Sequence, residues 1–525
     1  MRITPHPSGG AYTAACAIQS AARAPIIKVG ALVLAPISVG ITEASPLDML
    51  ETIMMRDPIS NSELHALFDA QRAACLGVPF PEWSERAGHL RSLKALLQDN
   101  LDVIVAAIDS DFGQRPRQET LMAEMLGSLN GIRDALAHGR RWMRPQRRAA
   151  NFWLRPARAR VMPQPLGVVG IIVPWNYPLF LMVGPLTAAL GAGNRVMIKL
   201  SEYAPGFAEL MQYLFEQHFA TDHIAVVTGG PDVAQVFGAL PFDHLLFTGS
   251  TQVGRQVMQA ASRNLTPVTL ELGGKSPALI APGARFESAV EAIVSGKLLN
   301  AGQTCIAPDY VLVERNRVAA FVEAAQRVTA RLYPDFDRNP DYTTIINARH
   351  FERLQALVDE ARDGGAQVHP LAQGSGDAFT RRYLPLCITD APGSVRLMHE
   401  EIFGPVLPVV PYDALDEALA YINARPRPLA LYLFETERAT IDRVLKHTIA
   451  GGVTVNDTLL HILNDDLPFG GVGPSGIGAY HGRDGFATFS KFKPVLYQAR
   501  FNGRRLLQPP YGKTFERLIR LMLGR

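Results

Sequence analysis

The chain has 525 residues, 47% of them hydrophobic and 19% charged, the balance of a folded globular protein with enough apolar surface for more than one core. Fifty-two basic residues against 49 acidic ones leave a net charge of +3, which gives no broad attraction to nucleic acid or to an anionic membrane. Cys16, Cys75, Cys305 and Cys387 lack the spacing of a zinc site or a disulfide framework, so a reducing cytoplasm is the expected compartment and no metal is expected.

Before Glu43 the chain has no Asp or Glu, carries Arg2, Arg23 and Lys28, and holds an apolar stretch over 25–41 with the character of an export or transit segment. Lys28 and Pro36 interrupt that stretch and no clear cleavage site follows. Residues 1–48 are therefore read as a disordered or spurious extension, with Met49, Met54 and Met55 as alternative starts. No other segment approaches the roughly 20 uninterrupted apolar residues of a membrane helix. Leu64, Leu67 and Phe68, then Leu90, Leu93 and Leu97, recur at three- and four-residue steps and predict core-facing helices. Asp111-Phe112-Gly113 spells the metal-binding tripeptide of protein kinases. Without their catalytic loop or Gly-rich loop it reads as a turn after a helix. Arg140, Arg141, Arg144, Arg147 and Arg148 read as a solvated helix end or subunit contact rather than a phosphate site.

From Val161 onward short β-branched runs appear at 168–173, 195–200, 224–228 and 244–248, separated by helix-length segments. Alternation of this kind predicts an α/β fold with a parallel sheet covered on both faces. A further run, 267–272, ends in Gly273-Gly274, and a second strand and helix series extends from about Ser276 to about Val455. The change of series marks a boundary between segments 49–273 and 274–455. No linker separates them, so tight packing is expected. At the carboxyl end, Phe515, Leu518, Ile519 and Met522 form an apolar helical stripe beside Lys513, Arg517, Arg520 and Arg525. It is too short for stable membrane anchoring alone and reads as packing on a partner subunit.

Four segments carry chemistry. In Phe247-Thr248-Gly249-Ser250-Thr251-Gln252-Val253-Gly254 a strand runs through a Gly-bounded turn into a helix predicted over 253–262. Free N–H groups and a positive dipole end then point at one spot, which suits a pyrophosphate. The spacing matches neither a P-loop nor the usual dinucleotide fingerprint, and a plain tight turn is the alternative. Lys199 and Glu202 close a strand where doubly wound sheets bind ribose hydroxyls. A carboxylate there would accept both hydroxyl hydrogens and repel a 2′-phosphate, favouring NAD over NADP. In Asn300-Ala301-Gly302-Gln303-Thr304-Cys305 a helical segment gives way to a Gly-containing loop that presents a thiol, whose pKa a nearby cation or helix start would lower. Glu271, flanked by Leu270 and Leu272, becomes a general base near neutral pH if it is buried. Taken singly, each has a plain alternative: an exposed Lys and Glu, a small buried Cys, or a paired carboxylate.

Taken together, Pro174-Trp175-Asn176-Tyr177-Pro178, 247–254, 271–275, 302–305 and Glu401-Ile402-Phe403-Gly404-Pro405 resemble the ordered motif set of the aldehyde dehydrogenase superfamily over roughly residues 55–500. The segments 456–461 and 467–476 are similar to its dimeric class-three-like branch, and within that branch to coniferyl aldehyde dehydrogenases, which act on aryl-propenyl aldehydes. The resemblance implies a Rossmann-type NAD-binding domain over 49–273 with a strand arm near 150–165, and an α/β catalytic domain over 274–455. It further implies a return to the cofactor and oligomerisation region over 456–500, a tail helix over 501–525, a small β oligomerisation arm and a homodimer.

The resemblance also implies roles. Cys305 attacks the aldehyde, Asn176 and the Cys305 N–H hold the oxyanion, and Glu271 deprotonates the water that hydrolyses the thioester. Lys199 and Glu202 hold the adenosine ribose, Gly249, Ser250 and Gly254 the pyrophosphate turn, and Glu401 the nicotinamide ribose, with Phe403 and Trp175 completing the cofactor wall. Tyr177 and His461 flank the aldehyde channel, with a packed Tyr and a surface His as the alternatives. Leu200 departs from the proline that relatives commonly have there, which bears on the aim of Glu202 and leaves NADP open. Two other classes stay in view: a cofactor-independent thiol hydrolase or acyl transferase, which needs a His on Cys305, and a non-catalytic structural protein on the same fold.

Overall fold

Ser60 starts the first helix of the described residues, Asn61–Gly77, through a capping box in which its hydroxyl accepts the Glu63 N–H and the Glu63 carboxylate returns to the Ser60 N–H. The computed structural model describes residues 59–524, so the reading of 1–48 as an extension, and Cys16 within it, lie outside the described residues. Leu64 and Phe68 are buried from this helix, and Leu90, Leu93 and Leu97 from the next, Trp83–Asp99, as their spacing predicts.

Sixteen strands follow among the described residues: β1 Gln146–Arg148, β2 Arg158–Pro165, β3 Val168–Ile172, β4 Arg195–Lys199, β5 Ile224–Val227, β6 His244–Thr248, β7 Val268–Glu271, β8 Pro277–Ile280, β9 Tyr310–Glu314, β10 Gln367–Pro370, β11 Leu386–Thr389, β12 Val406–Tyr412, β13 Ala430–Phe434, β14 Gly452–Val455, β15 Gly476–Ile477 and β16 Ser490–Tyr497. One sheet has the order β15-β7-β6-β3-β4-β5, parallel throughout except for β15. A second has the order β10-β11-β12-β9-β8-β13-β14, parallel except for β10. The third, β1-β2-β16, is antiparallel and joins residues 158–165 to 490–497.

Burial on both faces follows from the two-residue repeat of a strand. In β3, Val169 and Ile171 face one apolar cluster while Val168 and Ile172 face another. In β9, Val311 and Val313 join the first of these, and Tyr310 and Leu312 a third. One core thus runs between the two large sheets, and each sheet has a second core behind it. Each fully buried Val, Leu or Ile contributes about 1.5–3 kcal/mol, so the run of β-branched residues is what selects these segments as strands.

One expectation resolves differently from its first reading. Asp111 and Phe112 end the helix Leu101–Phe112, and Gly113 closes it at φ +84°. The Asp111 carboxylate accepts the N–H groups of Gly206 at 2.9 Å and Phe207 at 2.8 Å, so it caps the helix Pro205–His218. The tail forms a helix over Lys513–Met522 with no fully buried residue. Among the described residues no helix is long and apolar enough to cross a membrane.

Candidate active site

The chain leaves β3 toward β4 on one side and β6 toward β7 on the other, so a crevice opens between the carboxyl ends of these two neighbours. Ligands of doubly wound sheets bind at such switch points. Here the crevice is lined by the loop after β3, with Trp175, Asn176 and Tyr177, and by Gly249 and Ser250 after β6.

Ser250 caps the helix Thr251–Ser262, its hydroxyl accepting the Val253 N–H at 3.3 Å. Helix geometry leaves the N–H groups of Thr251 and Gln252 without intrahelical partners. The Gly249 N–H is spent on the Glu271 carbonyl at 3.0 Å, so Gly249 contributes space and not a donor. Gly254 lets the helix approach Leu272, where a Cβ would meet Leu272 Cδ2 at 2.6 Å. At the end of β4, the buried Lys199 ammonium donates to the Leu200 carbonyl at 2.6 Å and stands 3.9 Å from the Glu202 carboxylate. Burial lowers the Lys199 pKa, with Glu202 and Asp232 opposing. Leu200 donates its N–H to Val227 at 3.1 Å, a bond that proline could not make, so this chain pins the strand end one residue nearer Glu202.

The helix Phe286–Leu298 ends in a left-handed turn: Asn300 at φ 52°, Ala301 at 49° and Gly302 at 74°. Asn tolerates this conformation and Gly is free in it, whereas Ala301 stores about 1 kcal/mol. The strained turn is held by the buried Asn300 amide, which donates to the carbonyls of Asn176 at 3.0 Å and Gln303 at 3.1 Å. Gln303 adds bonds to Thr344 and Ile346. The half-buried Cys305 sulfur follows, with the backbone N–H groups of Cys305 and Ile306 directed at it.

The expected lowering of the Cys305 pKa is not what the geometry gives. Burial, with the Glu401 and Glu271 carboxylates, pushes the thiol up to about 12, outweighing the two backbone N–H groups. No cation compensates. Lys275 is committed to Asp309 and to the carbonyls of Leu397 and Glu400.

Glu271 is 2% exposed, neither of its carboxylate oxygens has a partner, and burial raises its pKa well above the carboxylate range. Asn176 Nδ2 donates to the Gln303 carbonyl at 3.1 Å, which fixes the amide beside the Cys305 loop and leaves its other hydrogen available. Glu401 has one unpartnered oxygen, and burial followed by Asp309 pushes it up to about 8. Phe403, at φ 52°, packs edge-on against Trp175 at 5.5 Å, and Trp175 also meets His350 at 5.1 Å. Tyr177 is buried, sharing a 2.7 Å hydrogen bond with Thr304. His461 bonds Thr454 at 2.9 Å and stacks on Phe469 at 5.9 Å, while burial pushes its pKa down to about 4.

Several groups escaped the sequence reading. Lys297 is 1% exposed with an unpartnered ammonium pushed down to about 8, and the Tyr480 hydroxyl is buried within the electrostatic reach of Glu271 and Cys305. Arg115, Glu119 and Glu124 meet behind Asn176. Arg115 and Glu119, four apart, read equally well as a surface pair; only their low exposure distinguishes them.

A thiol, an unpartnered buried carboxylate and a side-chain amide are thus gathered at the crevice of a doubly wound sheet. The aldehyde dehydrogenase family model matches residues 48–495. A Pseudomonas aeruginosa protein described as a probable coniferyl aldehyde dehydrogenase is 52% identical over 459 residues, covering 87% of this chain and 96% of that protein. The substrate-bound structure of Staphylococcus aureus AldH has a TM-score of 0.83 at 35% identity, covering 87% of this chain and 99% of that one. A Mycobacterium tuberculosis aldehyde dehydrogenase complexed with NAD+ has a TM-score of 0.76 at 27% identity, covering 85% and 91%. The chain belongs to the aldehyde dehydrogenase family.

Proposed function

We propose that the protein oxidises an aldehyde to the carboxylic acid with NAD+ through a covalent adduct on Cys305. The observation that carries this reading is the convergence of the Cys305 thiol, the unpartnered Glu271 carboxylate and the Asn176 amide at the crevice. The residues fit a dinucleotide: Lys199 and Glu202, paired at the end of β4, suit an adenosine ribose, the first turn of Thr251–Ser262 offers N–H groups to a pyrophosphate, and the orphan oxygen of Glu401 suits a ribose hydroxyl. Gly249 leaves room for the Phe247 ring and Gly254 for Leu272 where the turn meets the sheet, and Trp175 and Phe403 form an aromatic wall. Glu202 favours NAD over NADP on charge, and its exposed side chain is free to turn aside for NADP.

Cys305 loses its proton to solvent as sulfur bonds to the carbonyl carbon. The oxyanion that forms accepts hydrogen bonds from Asn176 Nδ2 and the Cys305 N–H. A nicotinamide bound beside Glu401 and Phe403 would supply acceptance of a hydride from that carbon, which then stands as a thioester on Cys305. Glu271 takes a proton from water as the water oxygen attacks the thioester carbon. The C–S bond breaks and the acid leaves.

An aryl-propenyl aldehyde such as coniferyl aldehyde is the substrate class, supported by the Pseudomonas aeruginosa relative, with medium or long-chain aldehydes the second class. Tyr177 and His461 flank its channel. Residues 49–273 with 456–500 form the cofactor side, 274–455 the nucleophile side, and 501–525 the tail, in a cytoplasmic homodimer. A thiol hydrolase would need an imidazole on the thiol, and the groups that act on Cys305 are the Glu401 and Glu271 carboxylates and two backbone N–H groups.

The test is aldehyde-dependent NADH formation by the wild type and by Cys305→Ala, with specificity constants for coniferyl, benzyl and straight-chain aldehydes. The expected result is no activity in the variant and a clear preference for aromatic or long-chain aldehydes over acetaldehyde. Equal activity in both proteins contradicts the covalent route, and a preference for acetaldehyde contradicts the substrate class.

A further inference from the structure

Behind the loop that carries Asn176 lies a buried charge cluster that the chemistry above does not use. Arg115 is 1% exposed, Glu119 8% and Glu124 0%. Glu124 sits in a π-helical segment, Leu121–Leu126, between the helices Arg117–Thr120 and Gly127–Trp142. Such widened turns give up regular hydrogen bonding and recur at functional sites.

Arg115 Nη1 donates to Glu124 Oε1 at 2.6 Å and to the Asn176 carbonyl at 3.2 Å. Glu124 Oε2 accepts the N–H groups of Leu179 at 2.7 Å and Phe180 at 3.3 Å. These contacts grip the loop on both sides of Tyr177. Glu119 Oε1, 3.5 Å from Arg115 Nε, accepts the Thr343 hydroxyl at 3.2 Å, and its carboxylate also accepts the backbone N–H of Asn300. The guanidinium lies 4.9 Å from the centre of the Tyr177 ring, whose hydroxyl bonds Thr304 beside Cys305. The cluster therefore reaches both the loop that carries the oxyanion donor and the loop that carries the nucleophile.

Stability alone does not call for this arrangement. Apolar side chains of similar volume commonly stabilise a core as well as a buried ion cluster does, or better. Here one guanidinium faces two carboxylates, and burial raises the pKa of both. What apolar residues lack is the set of directional bonds to both loops.

We propose that Arg115, Glu119 and Glu124 form a positioning clamp that fixes the Asn176 amide relative to the 300–305 loop, a role that rests on the reading of Asn176 and Cys305 given above. None of the three touches the reacting atoms. Their effect passes through Asn176, so it is read as coupling.

The experiment is a kinetic double-mutant cycle on the full chain with Arg115→Lys, Asn176→Ala and both together, measuring kcat and the KM for NAD+. Asn176→Ala is expected to lose on the order of a hundredfold in kcat. Arg115→Lys is expected to lose about tenfold or more in kcat, with the KM for NAD+ changed by less than about twofold, and to cost under about threefold once Asn176 is already Ala. Losses that multiply in full, or a wild-type kcat in Arg115→Lys, overturn the clamp. A wild-type kcat in Asn176→Ala overturns the underlying reading instead. Should Arg115→Lys fail to fold, Glu124→Gln keeps an acceptor for Leu179 and Phe180 and removes the charge pairing with Arg115. The same coupled loss is expected, and full multiplication or a wild-type kcat overturns the clamp.

Discussion

Cys305 shows how far residue type alone carries an argument. A thiol in a polar, Gly-containing loop invites the expectation of a depressed pKa, yet two carboxylates and burial raise it, because Lys275 is already spent on Asp309. Hydrolysis of the thioester still needs a proton acceptor, and Glu271, with no partner on either oxygen, is the group free to take a proton from water. Glu271→Gln should complete one hydride transfer per subunit and then stall, giving a burst of about one equivalent of NADH with steady-state turnover reduced about a hundredfold or more. Stopped-flow absorbance checks this; unchanged turnover would remove Glu271 from hydrolysis. Because burial raises the Glu271 pKa, the basic form gains population as pH rises, so the wild-type kcat should climb from neutral into alkaline pH, and a profile flat over that range would contradict the assignment. The Glu271 part of this was legible from its apolar flanks. The thiol part was not, since it depends on Glu401, which is 96 residues away in the chain, and on where Lys275 points.

At the scale of elements, strands read well and caps read poorly. The expected runs at 168–173, 195–200, 224–228 and 244–248 lie within one residue of β3, β4, β5 and β6, because β-branched residues buried on both faces leave little choice of register. Asp111 was read as part of a turn because its partners, Gly206 and Phe207, are 95 and 96 residues away. Burial pushes its carboxyl up to about 6 despite both N–H bonds. A folded pKa above the unfolded one means stability that is present below about pH 4 and lost as pH rises through 6, at most ~3 kcal/mol. Asp111→Asn lacks that titration, so its stability relative to the wild type should rise between pH 4 and 7. Urea unfolding at several pH values checks it; a difference constant with pH would contradict the cap's raised pKa.

For the whole molecule, the antiparallel sheet brings β2 and β16 together from positions more than 300 residues apart, and no local pattern announces such a pairing. The two large sheets were legible because their strands alternate with helices, and the resemblance supplied the arm. Leu496 and Tyr497 on β16 are 51% and 53% exposed, an apolar edge suited to the proposed homodimer. Sedimentation should give the mass of two chains, and Leu496→Glu with Tyr497→Glu should shift it toward one; a monomeric wild type would contradict the dimer.

The covalent route itself is reached most directly by mass spectrometry of Glu271→Gln quenched after mixing with NAD+ and coniferyl aldehyde. The account predicts the corresponding acyl group as a thioester on the peptide that contains Cys305, in step with the NADH formed. NADH released with that peptide unmodified, or acylation at Cys75 or Cys387 instead, would contradict it.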